Sequence, residues 1–116
     1  MKLHKGRVIG IVVDKEQGQF YSVGNDKRLK VTSLSHQKTT AEFSLGNNLM
    51  SCIGHDIKHK RLIILNEVGE LYLFSIINKT PAFIKQLSLE NVKRIRNLSM
   101  DIEHDGFFAC TSYNHN

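Results

Sequence analysis

The sequence has no apolar run long enough to cross a membrane. One of the longest, LIIL at 62–65, falls far short of the roughly 20 residues that a bilayer helix needs. The N-terminal segment MKLHKGRVIGIVVDK contains basic residues but neither a sustained apolar core nor a small-residue cleavage site, so it does not resemble a secretory signal. We therefore expect a cytoplasmic protein, with a nuclear location as the alternative.

Cysteine is scarce, with two residues in a chain of 116. Cys52 and Cys110 lack the C-x-x-C spacing of a zinc site, and each lies in an apolar, strand-like run where cysteine usually acts as a small buried side chain. His55 and His59 stand four apart, but the segment has neither the glutamate nor the helix of a zinc protease. The chain also lacks a Gly-rich phosphate loop and a G-x-S-x-G elbow. We expect no enzyme activity, no metal and no cofactor.

Acidic residues are outnumbered, since 11 Asp and Glu face 16 Lys and Arg, for a net charge of +5. This balance favours acidic partners without naming one. The basic residues stand in short groups with few aromatics between them, which is a weak indication of nucleic-acid binding. One such group is the candidate basic patch, formed by Lys58, His59, Lys60 and Arg61.

The sequence does have a strong alternation of apolar and polar residues. It is visible in RVIGIVVD, RLKVTSL and ELYLFSI, and no stretch of helical length has capping signals at both ends. An all-β fold follows from this pattern. The predicted strands are 6–14, 19–24, 29–34, 38–45, 49–56, 61–66, 70–76, 82–88, 94–101 and 107–112.

The strands belong to a repeat. The segments IVVDKEQGQFYSVGND, IGHDIKHKRLIILNEV and LSMDIEHDGFFACTSY align without a gap and bring Asp14, Asp56 and Asp101 into step, at separations of 42 and 45 residues. A repeat of this length with four short strands per unit is typical of a propeller blade, because a single four-stranded sheet cannot bury both of its faces alone.

These features resemble the WD-repeat family, and the first copy carries the resemblance. His4 stands where the family has the histidine of Gly-His, Ser22 and Asp26 reproduce the Ser-x-x-x-Asp spacing, and Thr32 and Ser33 occupy the Trp-Asp positions. The resemblance implies a hydrogen-bonded network that ties the strands to a turn, with Asp26 accepting from backbone N–H groups and from His4, and Ser22 holding the other side of the ring. The same three side chains have the composition of a hydrolase triad, but burial between strands favours the structural role.

The sequence departs from the family pattern at two of these positions. Leu3 replaces the glycine and Thr32 replaces the tryptophan, so the network has a hydroxyl where the family has an indole. In the other copies apolar packing is expected to replace the network. The equivalent residues are Ile64, Val68 and Phe74 in the second copy and Ala109 and Tyr113 in the third. A small independent β-sandwich is the alternative fold.

The resemblance implies a partial propeller over residues 1–116, built from four-stranded antiparallel blades. Blade 1 covers about 6–45, blade 2 about 49–88, and an incomplete blade 3 about 94–116. Closed propellers have typically 4–8 blades, which takes at least about 160 residues. We therefore expect further blades, from the same protein or from other chains, to complete the ring.

The resemblance also implies a binding rim, formed by the loops at 25–28, 46–48, 67–70 and 89–93. The candidate contacts on it are Asn25, Lys27, Arg28, Asn47, Asn48, Glu67, Glu70 and Lys93. The favoured function is a non-enzymatic scaffold segment that binds protein partners, with no small-molecule substrate. Two alternatives remain: a basic peripheral binder of phosphoinositide membranes or RNA, although the Phe-Arg-Arg-Gly signature of phosphoinositide-binding propellers is missing, and a regulatory propeller piece attached to an enzyme.

Overall fold

The computed structural model describes the backbone of residues 4–88, 95–101 and 106–111, and the side chains of residues 4–88. Every regular element in these ranges is a β-strand, so the all-β prediction is confirmed for them, and each strand begins and ends within two residues of its predicted bounds. The strands are β1 (Val8–Asp14), β2 (Gln19–Gly24), β3 (Arg28–Ser33), β4 (Lys38–Ser44), β5 (Met50–Asp56), β6 (Arg61–Asn66), β7 (Glu70–Ser75), β8 (Ala82–Ser88), β9 (Ile95–Asp101) and β10 (Gly106–Thr111).

The strands form two four-stranded antiparallel sheets and one two-stranded sheet. Their orders are β1-β2-β3-β4, β5-β6-β7-β8 and β10-β9, so each strand pairs with its neighbour in sequence. None of these sheets, within the described residues, closes on itself. The chain divides into two compact units, Met1–Met50 and Ser51–Asn116, with one four-stranded sheet in the first and the other almost wholly in the second.

The two four-stranded sheets repeat each other strand by strand. A shift of 42 residues carries the bounds of β1, β2 and β3 onto those of β5, β6 and β7, and a shift of 44 carries β4 onto β8. Each sheet also has an irregularity at the same place, between Val31 and Thr32 in the first and between Leu73 and Phe74 in the second. The repeat seen in the sequence is therefore a repeat of backbone structure.

The turn between the first two strands of each sheet has the same backbone geometry. Gly18 and Lys60 both have positive φ, at 65° and 53°. The carbonyl oxygen of each accepts a hydrogen bond from the residue after the third strand, Leu34 N–H at 2.9 Å and Ile76 N–H at 2.8 Å. Lys60 thus adopts the left-handed conformation that Gly18 adopts in the first copy, so both copies keep the same turn conformation although the residue differs.

The central strands are buried on both faces. Four consecutive β6 residues, Leu62–Leu65, are fully buried, and successive side chains of a strand point to opposite faces of the sheet. In the first sheet the same holds for Tyr21, Ser22 and Val23 of β2. Cys52 of β5 is also buried, and the loss of hydration on burial raises the pKa of its thiol to about 12. Cys110 lies outside the residues whose side chains are described.

Candidate functional site

The clearest polar site is a buried network around His4. Its Nδ1 donates to Asp26 Oδ1 at 2.7 Å, and its Nε2 lies 2.8 Å from Ser22 Oγ. The His4 side chain is fully buried, Ser22 is fully buried, and the Asp26 side chain is 10% exposed. Both ring nitrogens therefore have partners inside the protein, which is what a buried histidine requires.

The Asp26 carboxylate gathers further donors at the same place. Its Oδ2 accepts the backbone N–H of Lys5 at 3.3 Å and lies 3.8 Å from Lys30 Nζ. Partial burial acts to raise the pKa of Asp26, but the hydrogen bond and charge of His4, the Lys5 amide and the Lys30 ammonium together hold the pKa below its usual value. The carboxylate is thus kept ionised as the acceptor that joins the N-terminal segment to the β2–β3 turn.

Local backbone bonds fix the turn that carries Asp26. Lys27 N–H donates to Gly24 O at 3.0 Å, and Asn25 N–H donates to Arg7 O at 2.8 Å. Lys27 has a φ of 63°, so the chain passes through the left-handed region as it enters β3. The segment before β1 and the β2–β3 turn are thereby held side by side, with Asp26 directed at the histidine.

Gly24 provides the space in which the histidine ring lies. A Cβ atom at this position would meet His4 Cγ at 2.7 Å and Arg7 O at 2.8 Å. Such distances are shorter than van der Waals contact, so only glycine allows the ring and the backbone to approach this closely. The sequence pattern singled out His4, Ser22 and Asp26 but gave no role to Gly24.

The connectivity of this network equals that of a hydrolase triad, because an acid holds Nδ1 and a hydroxyl faces Nε2. A nucleophile must reach its substrate, however, and both Ser22 and His4 are buried in the sheet. The geometry therefore supports a structural role, in which the three side chains join the segment before β1, strand β2 and the β2–β3 turn.

Thr32 does not take part in the network, and this expectation was wrong. Its hydroxyl is buried without a hydrogen-bond partner, whereas Ser22 is already bonded to His4. Ser22 is paired with Lys30 across the sheet, two residues away from Thr32 along β3. Two strand residues span about 6.6 Å, a distance that a tryptophan indole can bridge and a threonine hydroxyl cannot.

The second sheet fastens its equivalent turn in another way. Ile64 and Phe74 are buried, whereas Val68, at the position of Asp26, is 52% exposed. The expected packing of these side chains between blades stays a prediction. Asn66 holds the turn instead: its Oδ1 accepts the N–H groups of Val68 at 3.1 Å and Glu70 at 2.9 Å. Its Nδ2 donates to Glu70 Oε1 at 2.7 Å. Ala109 and Tyr113 of the third copy lie outside the described side chains.

Sequence reasoning missed Asn66 because the family pattern assigns no role to that position. The available signal was the turn sequence itself, since an asparagine at the first position of a turn often accepts, through its side chain, the backbone N–H of the residue two positions later. Asn66 is fully buried, which is uncommon for an asparagine and is satisfied here by three hydrogen bonds.

Two of the acids that are in register in the repeat, Asp14 and Asp56, have a shared role at the first turn of the two four-stranded sheets, whereas the Asp101 side chain lies outside those described. Asp14 Oδ1 accepts Gln17 N–H and Asp56 Oδ1 accepts His59 N–H, both at 3.3 Å. Asp14 also accepts the hydroxyl of Tyr21 at 2.7 Å. Burial is the main cause that raises the pKa of this tyrosine, and the nearby carboxylate adds to it.

Asp56 binds two of the four residues of the candidate basic patch. Its Oδ2 accepts from Arg61 Nη2 at 2.7 Å and from His59 Nδ1 at 2.9 Å. Burial acts to raise the pKa of Asp56, but these donors outweigh it and the pKa is lowered. The patch therefore presents Lys58 and Lys60 as its exposed cations, while His59 and Arg61 are turned towards an acid.

The candidate rim residues of the first unit lie in two loops that are joined by a backbone bond. Leu45 N–H, after β4, donates to Lys27 O in the β2–β3 turn at 2.9 Å. This bond brings the segment 46–48 next to the turn 25–28. Asn25, Arg28 and Asn47 are exposed, Lys27 and Asn48 are half-buried, Arg28 pairs with Glu42, and Lys93 lies outside the described residues.

No protein-family model matches the chain, and a search of curated proteins finds no similar sequence. Among the described residues there is no group of three or more side chains arranged to hold a metal ion. No helix of the described part is long and apolar enough to cross a membrane. The interpretation of the site therefore depends on its own geometry.

Asp26→Ala should lower the free energy of unfolding by about 1–3 kcal/mol, because it leaves the buried His4 Nδ1–H and the Lys5 amide without an acceptor. Val68→Ala, at the equivalent exposed position of the second sheet, should change it by less than about 0.5 kcal/mol. Denaturant unfolding at pH 7 measures both. Equal stability of Asp26→Ala and the native chain would show that Asp26 is a solvated turn acid.

The same network predicts a pH dependence. Because the folded-state pKa of Asp26 lies below 3.8, its contribution is complete above that pH and is lost as the pH falls through the folded-state value. The stability difference between the native chain and Asp26→Asn should therefore shrink at acid pH. A difference that stays constant from pH 7 to pH 2 would contradict the role of the ionised carboxylate.

Gly24→Ala should destabilise the chain by about 2 kcal/mol, because the added methyl group collides with the His4 ring. In the His4→Ala background the same change should cost less, although the contact with Arg7 O retains part of the cost. A double-mutant cycle on unfolding free energies measures the difference. Strictly additive effects would show that the ring does not lie over Gly24.

Thr32→Val should stabilise the chain by about 1 kcal/mol, because it removes a buried hydroxyl that has no partner and keeps the side-chain shape. Thr32→Ser is the matched control: it keeps the hydroxyl, loses the methyl group and should destabilise. Thermal or denaturant unfolding distinguishes the two. Destabilisation by Thr32→Val would mean that the hydroxyl has a hydrogen-bond partner in solution.

Proposed function

We propose that this chain is a propeller-type repeat segment, similar to the WD-repeat family, that acts as a non-enzymatic scaffold for protein partners. The observation that supports this most is the repeat of a four-stranded antiparallel sheet every 42 residues, which includes the strand bounds and the turn hydrogen bonds. Sheets of this size whose central strands are buried on both faces are stable when neighbouring sheets stack on them, as propeller blades do.

The network around His4 also supports the proposal. A buried histidine that joins the segment before β1 to Asp26 of the β2–β3 turn and to Ser22 of β2 stabilises one blade-like unit locally. His4 and Ser22 of this network are buried, whereas Asn25 and Asn47 in the neighbouring loops are exposed and accessible to other molecules. A scaffold needs this division between an interior that fixes the backbone and loops that vary.

Protein recognition is favoured by the loops of the first unit. The Leu45–Lys27 backbone bond places two exposed asparagines, Asn25 and Asn47, in neighbouring loops on a rigid sheet. Amide and cationic side chains held in this way give directional hydrogen bonds to a partner with little loss of backbone entropy. In our proposal these loops form part of the contact surface.

A phosphate-binding role is the second candidate, and the exposed Lys58 and Lys60 are what supports it. It is weaker because Asp56 neutralises Arg61 and binds His59. Binding to phosphoinositide vesicles or RNA that falls steeply between 50 and 200 mM salt, as counterion release requires, would favour this candidate over protein recognition.

The scaffold proposal predicts that the chain by itself associates with further copies or exposes apolar surface. A propeller buries the faces of each blade against the next, and an interface of about 800 Å² per partner at about 25 cal/mol per Å² is enough to drive association. Sedimentation at micromolar concentration, together with binding of an apolar dye, measures both properties. A stable, well-folded monomer that binds no dye would overturn the propeller and favour a closed β-sandwich.

A further inference from the structure

The outer strand of the second sheet has an unusual surface. Among the described strands β8 pairs with β7 alone, so one of its edges presents backbone N–H and C=O groups that no described strand uses. All seven residues of Ala82–Ser88 are exposed. An exposed strand edge is a template on which another extended segment can add by backbone hydrogen bonds.

The edge strand β8 is also apolar where its counterpart β4 is polar. Phe83 is 54% exposed and Ile84 is 46% exposed, whereas the residues 44 positions earlier are Thr39 and Thr40. Phe83 is held in place by the rings of β7, with centroids 5.5 Å from Phe74 and 6.4 Å from Tyr72. The exposed side of Phe83 is therefore an apolar surface in a fixed position, next to the edge of β8 that no described strand occupies.

Charge distinguishes between the possible occupants of this edge. Lys85 is the central residue of β8, is exposed, and has no acid among the described residues as a partner. The neighbouring Gln86 donates from its Nε2 to Glu70 Oε2 at 3.0 Å, so this carboxylate already has a partner in β8. Two copies pairing antiparallel about the strand centre would place one Lys85 opposite the other, which is unfavourable. An acidic residue at that position is favourable, and the net charge of +5 acts in the same direction.

We propose that the free edge of β8 binds an extended segment of a partner protein as an added strand, with apolar side chains next to Phe83 and Ile84 and an acidic residue opposite Lys85. This inference rests on the proposed scaffold function and specifies one of its contact surfaces and the chemistry of the partner. Backbone bonds would supply much of the affinity, and the cation would select the sequence.

The test uses the full chain and two synthetic fluorescent peptides, Thr-Val-Val-Glu-Val-Val-Thr and the same peptide with a central lysine. Fluorescence anisotropy should show saturable binding of the glutamate peptide and weaker binding of the lysine peptide. Lys85→Glu should reverse this preference by about tenfold in the ratio of dissociation constants. A role of Lys85 in stability alone would not reverse a preference between two ligands.

A second variant tests the apolar surface. Phe83→Thr with Ile84→Thr copies the residues that β4 carries at these positions, and it should weaken binding of the glutamate peptide about tenfold. Thr39→Ser with Thr40→Ser, in β4, is the matched control and should leave the affinity unchanged. Circular dichroism shows whether each variant keeps its β structure.

Three results would overturn the proposal. One is the absence of saturable binding by the glutamate peptide, and another is a peptide preference that Lys85→Glu does not change. The third is self-association that the Phe83→Thr, Ile84→Thr chain loses, because the occupant of the edge would then be a second copy. Failure of the scaffold proposal would give a different result. The chain would then sediment as a monomer and bind no apolar dye, both with the native residues of β8 and in the Phe83→Thr, Ile84→Thr variant.

Discussion

The constraint on which the structure depends is that its central strands are buried on both faces. In β6 four consecutive side chains, Leu62–Leu65, are removed from water, and consecutive strand residues lie on opposite sides of a sheet. A strand with one wet face would alternate between apolar and polar residues, but β6 does not. Each such sheet therefore needs cover on both sides.

The two sheets share a backbone but fasten the turn between their second and third strands differently. In the first sheet the fastening is long-range: His4 reaches Asp26 across 22 residues, and Gly24 makes room for its ring. In the second it is local, because Asn66 bonds to backbone groups two and four residues away. In the 42-residue register Asn66 stands at the position of Gly24, and Gly46 at the position of His4. A small residue thus stands at one of these two positions in each copy, and a polar side chain that secures the turn stands at the other.

Much of the fold could be predicted from the sequence because its signals are local. Alternation and turn residues predicted the bounds of every described strand to within two residues. The spacing of Asp14 and Asp56 predicted the 42-residue repeat that relates the first three strands of the two sheets. Thr32 could not be placed this way, since pattern matching ignores side-chain length, and the hydroxyl falls short of the Ser22 position. The charge of the segment 58–61 did not predict that Asp56 bonds to His59 and Arg61, because a composition carries no information on which side chains meet.

The repeat also makes it possible to separate what the fold requires from what it leaves open. Both outer strands are connected to the third strand by a polar pair at equivalent positions, Arg28 with Glu42 and Glu70 with Gln86, so this position contributes to the sheet in each copy. Two and three residues before this pair the copies differ, because β4 has Thr39 and Thr40 where β8 has the exposed Phe83 and Ile84. Packing of Phe83 on Phe74 and Tyr72 of β7 accounts for part of this difference, and the exposed surface of Phe83 and Ile84 is the part that folding leaves open. Exposed apolar surface lowers solubility, and in our proposal the surface at β8 serves to bind a strand of a partner.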